Sequence, residues 1–240
     1  VEVPDLIAAI QERLARATAS LPLAGKRALV TSGPTREAID PVRYLSNHSS
    51  GKQGHAIAAA LAAAGAQTTL VSGPTSEPDP AGVTIVKIES ARDMLAACEA
   101  ALPADIAICA AAVADWRIAE EAGSKMKKNG GTPPPMAMVE NPDILATLSQ
   151  ATDNRPRLVI GFAAETNDLI DNATKKRARK QCDWIVANDV STGTGTFGGD
   201  ENTVHLVTDD GVEDWPRLSK TGVAEQLTSR IASWLADRDT

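Results

Sequence analysis

The chain has 240 residues, of which 43% are hydrophobic, 23% charged and only 3% aromatic, and its net charge is −7. These proportions exclude a disordered chain, a collagen and a disulfide-stapled miniprotein, and they predict one large or two small globular domains with an aliphatic core. The acidic balance argues against a general nucleic-acid binder, so an anionic ligand would need Lys, Arg and backbone N–H groups gathered locally. Cys98, Cys109 and Cys182 are odd in number and form no C-x-x-C, which points to reducing cytosol. No apolar run approaches the roughly 20 residues of a membrane span, and no secretory leader is expected. The expectation is a cytoplasmic protein with neither a membrane nor a nucleic-acid partner. A start at Val1 rather than Met reads as a piece of something longer.

Residues 3–19 place Leu6, Ile7, Ile10 and Leu14 at helical spacing and predict a linker helix over 1–22, ended by Pro22 and Gly25. Residues 23–240 are expected to form one nucleotide-binding domain. Strands are predicted at 26–32, 67–72, 83–88, 157–165 and 183–189, with another opening the stretch 105–114. Helices are predicted at 49–65, 91–102, 141–150, 166–181 and 223–238. A hairpin is expected over 203–218, turning at Asp210-Gly211. Strands alternating with helices predict an α/β fold: a three-layer, mostly parallel, Rossmann-like sheet with helices on both faces and a small β-hairpin extension. Ligands of such sheets lie beyond the carboxyl ends of the strands.

The residues at those ends are informative. After the first strand, Ser49-Ser50-Gly51-Lys52-Gln53-Gly54 runs into a helix start. Small residues there let backbone N–H groups approach a phosphate, while a serine N-cap with turn glycines explains the pattern equally well. Neither G-x-G-x-x-G nor G-x-x-x-x-G-K-[ST] occurs, and Tyr44, the only tyrosine, has no lysine four residues on. Ser72-Gly73-Pro74-Thr75 echoes Ser32-Gly33-Pro34-Thr35 and reads as a simple strand terminator. The small residues Cys109 to Ala114 leave room for a flat ligand, and Asp115 ends that run as a candidate ligand or magnesium contact. The basic, Gly-bounded stretch Lys125 to Lys128 reads as a solvated face or as a lid over an anion. Asn141-Pro142-Asp143 is explained by helix capping. Phe162 fits the core or a base stack. Lys176 and Lys180 share a helix face. His48, His55 and His205 lack metal-ligand spacing, so no zinc site is expected.

Taken together, GPTREAIDPVRYLSNHSSGKQG, CAAAVADW, KMKK, ENPDIL, GFAAET and KKRARKQCDWIVANDV closely resemble the phosphopantothenoylcysteine synthetase (phosphopantothenate–cysteine ligase) family, in the family's order and from about residue 24 to about 236. The resemblance implies coenzyme A biosynthesis: CTP-dependent ligation of 4′-phosphopantothenate to L-cysteine through an acyl-cytidylate, releasing pyrophosphate and CMP. It implies Mg²⁺ with the CTP phosphates, a homodimer that shares part of the pantothenate site, and fusion to an upstream decarboxylase that holds the flavin, so no flavin belongs to this half. The hairpin at 203–218 and the loop at 110–140 are the candidate dimer elements. By resemblance, Ser49, Ser50, Gly51 and Gly54 form the phosphate loop. Cys109, Ala110, Ala111, Phe162, Lys176 and Lys180 contact the nucleotide, as do Asp115, Lys125 and the stretch Pro142, Asp143, Ile144 and Leu145. Asn188 is a candidate for the base or ribose. Asn47 holds the acyl intermediate, Arg43 belongs to the same loop, and Lys125 suits a lid. A competing reading is an NADP-dependent Rossmann-like oxidoreductase, disfavoured by the missing glycine fingerprint; a non-catalytic nucleotide sensor is a third.

Overall fold

A computed structural model of the chain describes residues 7, 21–127, 130, 135–165, 167–189, 199 and 201–239. Of the linker helix expected over 1–22, only Ile7, Leu21 and Pro22 are among the described residues; Lys128 and Thr166 also lie outside them. Among the described residues the chain runs β1 (Arg27–Ser32), β2 (Arg36–Asp40), β3 (Arg43–Ser46), α1 (Lys52–Ala63), β4 (Gln67–Ser72), β5 (Val83–Lys87), α2 (Ala91–Ala100) and β6 (Ile106–Cys109). It continues through β7 (Trp116–Ile118), β8 (Met138–Glu140), α3 (Ile144–Ser149), β9 (Leu158–Glu165), α4 (Leu169–Lys180) and β10 (Trp184–Asp189). It ends with β11 (Glu201–Asn202), β12 (Val204–Val207), β13 (Val212–Asp214), β14 (Leu218–Ser219) and α5 (Lys220–Asp239).

Eight strands form the main sheet in the order β13-β12-β10-β9-β6-β1-β4-β5. β12 and β13 are antiparallel, and the other six are parallel. Numbered along the chain, those six lie in the order third, second, first, fourth, fifth, sixth, which is the doubly wound order of dinucleotide-binding folds. The chain winds outward in one direction from β1 and in the other from β6. Their carboxyl ends therefore flank the crevice where ligands of this architecture bind.

Period-2 patterning makes the sheet two-faced. Val30, Leu70, Ile108, Ile160 and Val186 face a core closed by Ile57 and Leu61 of α1 and Leu227 and Ile231 of α5. Leu29, Val71, Ala107, Val159 and Ile185 face a second core closed by Met94 of α2, Leu148 of α3 and Ala173 of α4. Both cores are aliphatic, as the aromatic-poor composition predicts. Trp184 is a buried exception that meets Trp234 of α5 edge-on at 6.0 Å.

Several boundaries differ from the sequence expectation. The helix expected from residue 49 starts at Lys52. Its N-cap is Gly51, with φ 80° and no side-chain cap, so Ser49 and Ser50 stay in the loop instead of capping. The helices expected from 141 and 166 start at Ile144 and Leu169. The expected hairpin forms from β12 and β13 and turns at Asp210-Gly211, but Leu218 leaves it to pair with Asn202. Two further ribbons, β2–β3 and β7–β8, carry no apolar alternation that would have revealed them.

Candidate functional site

The crevice between β1 and β6 is held together from the back by small polar side chains. Thr31 Oγ1 accepts the Ala111 N–H at 3.2 Å, and Thr35 Oγ1 accepts the Ala114 N–H at 3.0 Å. Asn47 Nδ2 donates to the Val113 carbonyl at 3.0 Å. The loop after β6 is thereby fixed to the loop after β1, and both edges of the crevice become one rigid unit. The two Ser-Gly-Pro-Thr segments also meet here. A Cβ on Gly73 would lie 1.8 Å from the Pro34 carbonyl oxygen, so only glycine permits the approach. Thr75 then donates to the Ser50 carbonyl at 2.5 Å. The second copy is therefore a support for the Ser49–Gly54 loop rather than only a strand terminator.

Two adjoining cavities open at this edge. One, of about 660 Å³, runs from Cys109 and Ala111 past Pro142–Leu145 to Phe162, Lys176 and Lys180. The other, of about 690 Å³, runs from Asn47 along Ser49–Gly54 to Ala110, Asn188 and Lys220. Ala111, Val113, Asp115, Phe162 and Lys176 wall both. Every site residue expected from the sequence lines one cavity or both, except Arg43 and Lys125. A broad apolar groove between α1 and α5 is of similar size, but it lies away from the strand ends and is lined chiefly by Ala, Ser and Thr.

The electrostatics suit a divided anion. Lys176 donates to the Phe162 carbonyl at 2.7 Å, and burial pushes its ammonium below the usual lysine range, with Glu165 working the other way. Lys180 is paired with Asp143, which also caps α3 by accepting the Ala146 N–H at 2.9 Å. Burial works to raise the Asp143 carboxyl, but the hydrogen bonds from Lys180 and Ala146 prevail and hold it below its ordinary value. Burial pushes the Cys109 thiol well above the ordinary thiol range, so it is a neutral wall, not a nucleophile. Lys180 is thus a structural partner of α3 before any ligand arrives, while Lys176 is a strained cation shared by both cavities.

Arg43 and Lys125 occupy other places. The Arg43 guanidinium is fastened to Asp40, through Nε at 3.0 Å and a second, closer bond, and it donates to the Met126 carbonyl at 3.0 Å. Asp40 also accepts the N–H groups of Val42, Arg43 and Met126. The Arg43 hydrogen bond is the main reason its carboxyl sits far below the usual carboxylate range. Asp40 therefore ties the β2–β3 turn to the loop bearing Lys125, a role the sequence reading missed. An Asp just before Pro at a turn was its only signal. Lys125 is exposed on that loop.

Among the described residues no group of three or more His, Cys, Asp or Glu side chains could hold a metal ion. Magnesium keeps most of its waters and needs few protein ligands, and Asp115 is the carboxylate common to both cavities.

A mostly parallel sheet with an anion-suited crevice at its switch point defines a doubly wound α/β domain with a candidate ligand site at the carboxyl ends of its strands. The chain belongs to the family described as the DNA/pantothenate metabolism flavoprotein C-terminal domain, whose model matches residues 23–235. It is 48% identical over 208 residues to the coenzyme A biosynthesis bifunctional protein CoaBC of Escherichia coli K12, covering 85% of this chain and 51% of that protein. It is 45% identical over 212 residues to the CoaBC protein of Vibrio vulnificus, covering 88% of this chain and 53% of that protein. The chain thus spans about half the length of the curated relatives it matches. The crystal structure of the C-terminal domain of a CoaBC protein superposes with a TM-score of 0.76 at 41% identity, covering 91% of this chain and 100% of that one.

Proposed function

We propose that this domain joins 4′-phosphopantothenate to L-cysteine at the expense of CTP, within coenzyme A biosynthesis. One observation carries the reading: residues from five separate strand ends, singled out by family resemblance, converge on two adjoining cavities at the switch point. In this reading the nucleoside occupies the cavity walled by Pro142–Leu145 and Phe162, and the phosphates lie along Ser49–Gly54. The carboxylate of 4′-phosphopantothenate attacks the α-phosphorus, pyrophosphate leaves and an acyl-cytidylate forms. The amine of cysteine then displaces CMP to give the amide. Bringing a carboxylate to a triphosphate requires local cations, which Lys176 supplies between the cavities and Mg²⁺ would supply on the phosphates. The Asn47 amide, fixed to Val113, faces the cavity where the mixed anhydride would lie.

The test is pyrophosphate release. CTP, Mg²⁺, 4′-phosphopantothenate and cysteine together should yield pyrophosphate and the amide, and omission of the acid should stop release. Saturable NADPH binding without CTP competition would favour the oxidoreductase, and CTP binding without pyrophosphate would leave a sensor. Asn47→Asp is expected to release pyrophosphate but stall before the amide. Trapped acyl-cytidylate should then be visible by mass spectrometry, and its absence together with absence of pyrophosphate would remove Asn47 from this role.

The proposal includes a homodimer. Of the eight exposed large apolar side chains among the described residues, six (Val42, Tyr44, Trp116, Met136, Met138 and Val139) lie on or beside the β2–β3 and β7–β8 ribbons. Such a patch supports the β7–β8 ribbon of the 110–140 region, together with the neighbouring β2–β3 ribbon, over the 203–218 hairpin as the contact. Arg43, which lines neither cavity of its own chain, belongs to the β2–β3 ribbon, and in this reading it serves the partner's site. Met138→Asp should convert a dimer into a monomer by light scattering; a dimer indifferent to this change would refute the assignment.

A further inference from the structure

Three cations of α4 wall the cavity assigned to the nucleoside: Lys176, Arg179 and Lys180. They follow one another at i, i+3 and i+4, so one helix face presents all three. Two of them are already committed. Lys176 donates to the Phe162 carbonyl, and Lys180 is paired with Asp143. Their basic neighbours on the helix are engaged as well, Lys175 with Asp171 and Arg177 with Asp209. Arg179 forms neither an ion pair nor a hydrogen bond with any described residue, and it is exposed where it meets the cavity. A guanidinium carries five N–H donors in one plane and no acceptor. Its complement is therefore a ligand edge built of acceptors.

The two cavities divide the nucleotide between them. Lys176 and Phe162 wall both, and in the reading above the phosphates continue from there along Ser49–Gly54. Arg179, Lys180 and Asp143 line the first cavity and not the second. With the α-phosphate beside the shared Lys176, the part of the nucleotide that reaches these three residues is the base. Cytosine presents two adjacent acceptors, N3 and O2. A guanidinium can donate to both at once, as it does to the paired acceptors of guanine in DNA. Uracil has the same size and outline but carries a hydrogen on N3, so one arm of the fork would meet another donor.

We infer that Arg179 is the residue that selects the base: its guanidinium donates to N3 and O2 of a cytosine in this cavity and disfavours uracil there. The inference rests on the nucleotide reading of the site and adds to it the means of choosing the base. The experiment is calorimetric titration of Mg·CTP and Mg·UTP into wild type, Arg179→Met and Arg179→Lys. Wild type should bind CTP more tightly than UTP by about tenfold or more, within the range that one bidentate arginine–base contact supplies. Arg179→Met keeps much of the length and removes every donor. It should weaken CTP binding by about tenfold and leave UTP within about threefold, so that the preference disappears. Arg179→Lys keeps the charge but not the fork and should lose the preference too; should Arg179→Met fail to fold, this variant carries the test. A purely electrostatic or structural role would weaken both nucleotides alike, and lysine would restore a purely electrostatic one. Either of those results, or a wild type indifferent to the base, would overturn the inference alone. A wild type that bound neither nucleotide would overturn the nucleotide reading together with it.

Discussion

Lys176→Met is expected to lower CTP-dependent pyrophosphate release by roughly 10²–10³, the effect of removing one preorganised charge donor, while making the ligand-free protein more resistant to heat. Both effects have one cause. Lys176 is the ammonium shared by the two cavities, and burial depresses its pKa. A cation whose folded pKa lies below its unfolded value opposes folding wherever the unfolded chain holds the proton more tightly. That penalty is fully present at neutral pH and is relieved as pH rises through the folded pKa towards the unfolded value near 10.4. Thermal melts without ligand should thus show the variant above wild type at pH 7, with the gap narrowing towards pH 10. Saturating Mg·CTP should reverse the order, because the phosphates stabilise the ammonium only in wild type. A variant that melts below wild type at pH 7 and still turns over normally would remove Lys176 from the site.

Gly54→Ala should damage fold and binding together. An added Cβ would stand 2.4 Å from Ser32 Oγ, 2.5 Å from Ser32 Cβ and 3.1 Å from Ser32 Cα. Ser32 ends the central strand β1 and cannot retreat, so α1 must lift. Overpacking of this kind costs about 1–3 kcal/mol, or several degrees of Tm in a domain of this size. The lift also draws the Ser49–Gly54 loop away from Ser32, whose hydroxyl donates to the Gly51 carbonyl at 2.9 Å, so CTP affinity should fall more than stability alone explains. Gly123→Ala is the matched control, because a Cβ there meets nothing within 4 Å. Melting curves and CTP titrations of both variants check this, and a Gly54→Ala protein indistinguishable from the control would contradict the packing described.

What the sequence revealed follows its periodicity. β1, β4 and β9 are aliphatic runs ending in turn residues, and their order along the chain sufficed for a mostly parallel sheet. The doubly wound order itself was not legible, since nothing local in β6 says that it pairs with β1 rather than β5. β7 and β8 are three residues each and exposed, so they left no pattern. The resemblance to the synthetase family names the cavity-lining residues; small residues and charges at strand ends by themselves leave a phosphate loop and a plain helix start equally open. The supports of the cavity walls were harder to see. Thr75 reaches Ser50 across 25 residues of sequence, and its only trace was a repeated Ser-Gly-Pro-Thr. Arg43 shows the opposite failure: the motif was visible, but the Asp40 clamp that fastens its guanidinium was not.

The most direct test is a crystal of this protein grown with CTP. The cytosine and ribose should lie between Pro142–Leu145 and Phe162, with the α-phosphate beside Lys176 and the outer phosphates along Ser49–Gly54. Density for the nucleotide in the α1–α5 groove, or anywhere other than the carboxyl edge of β1 and β6, would contradict the account.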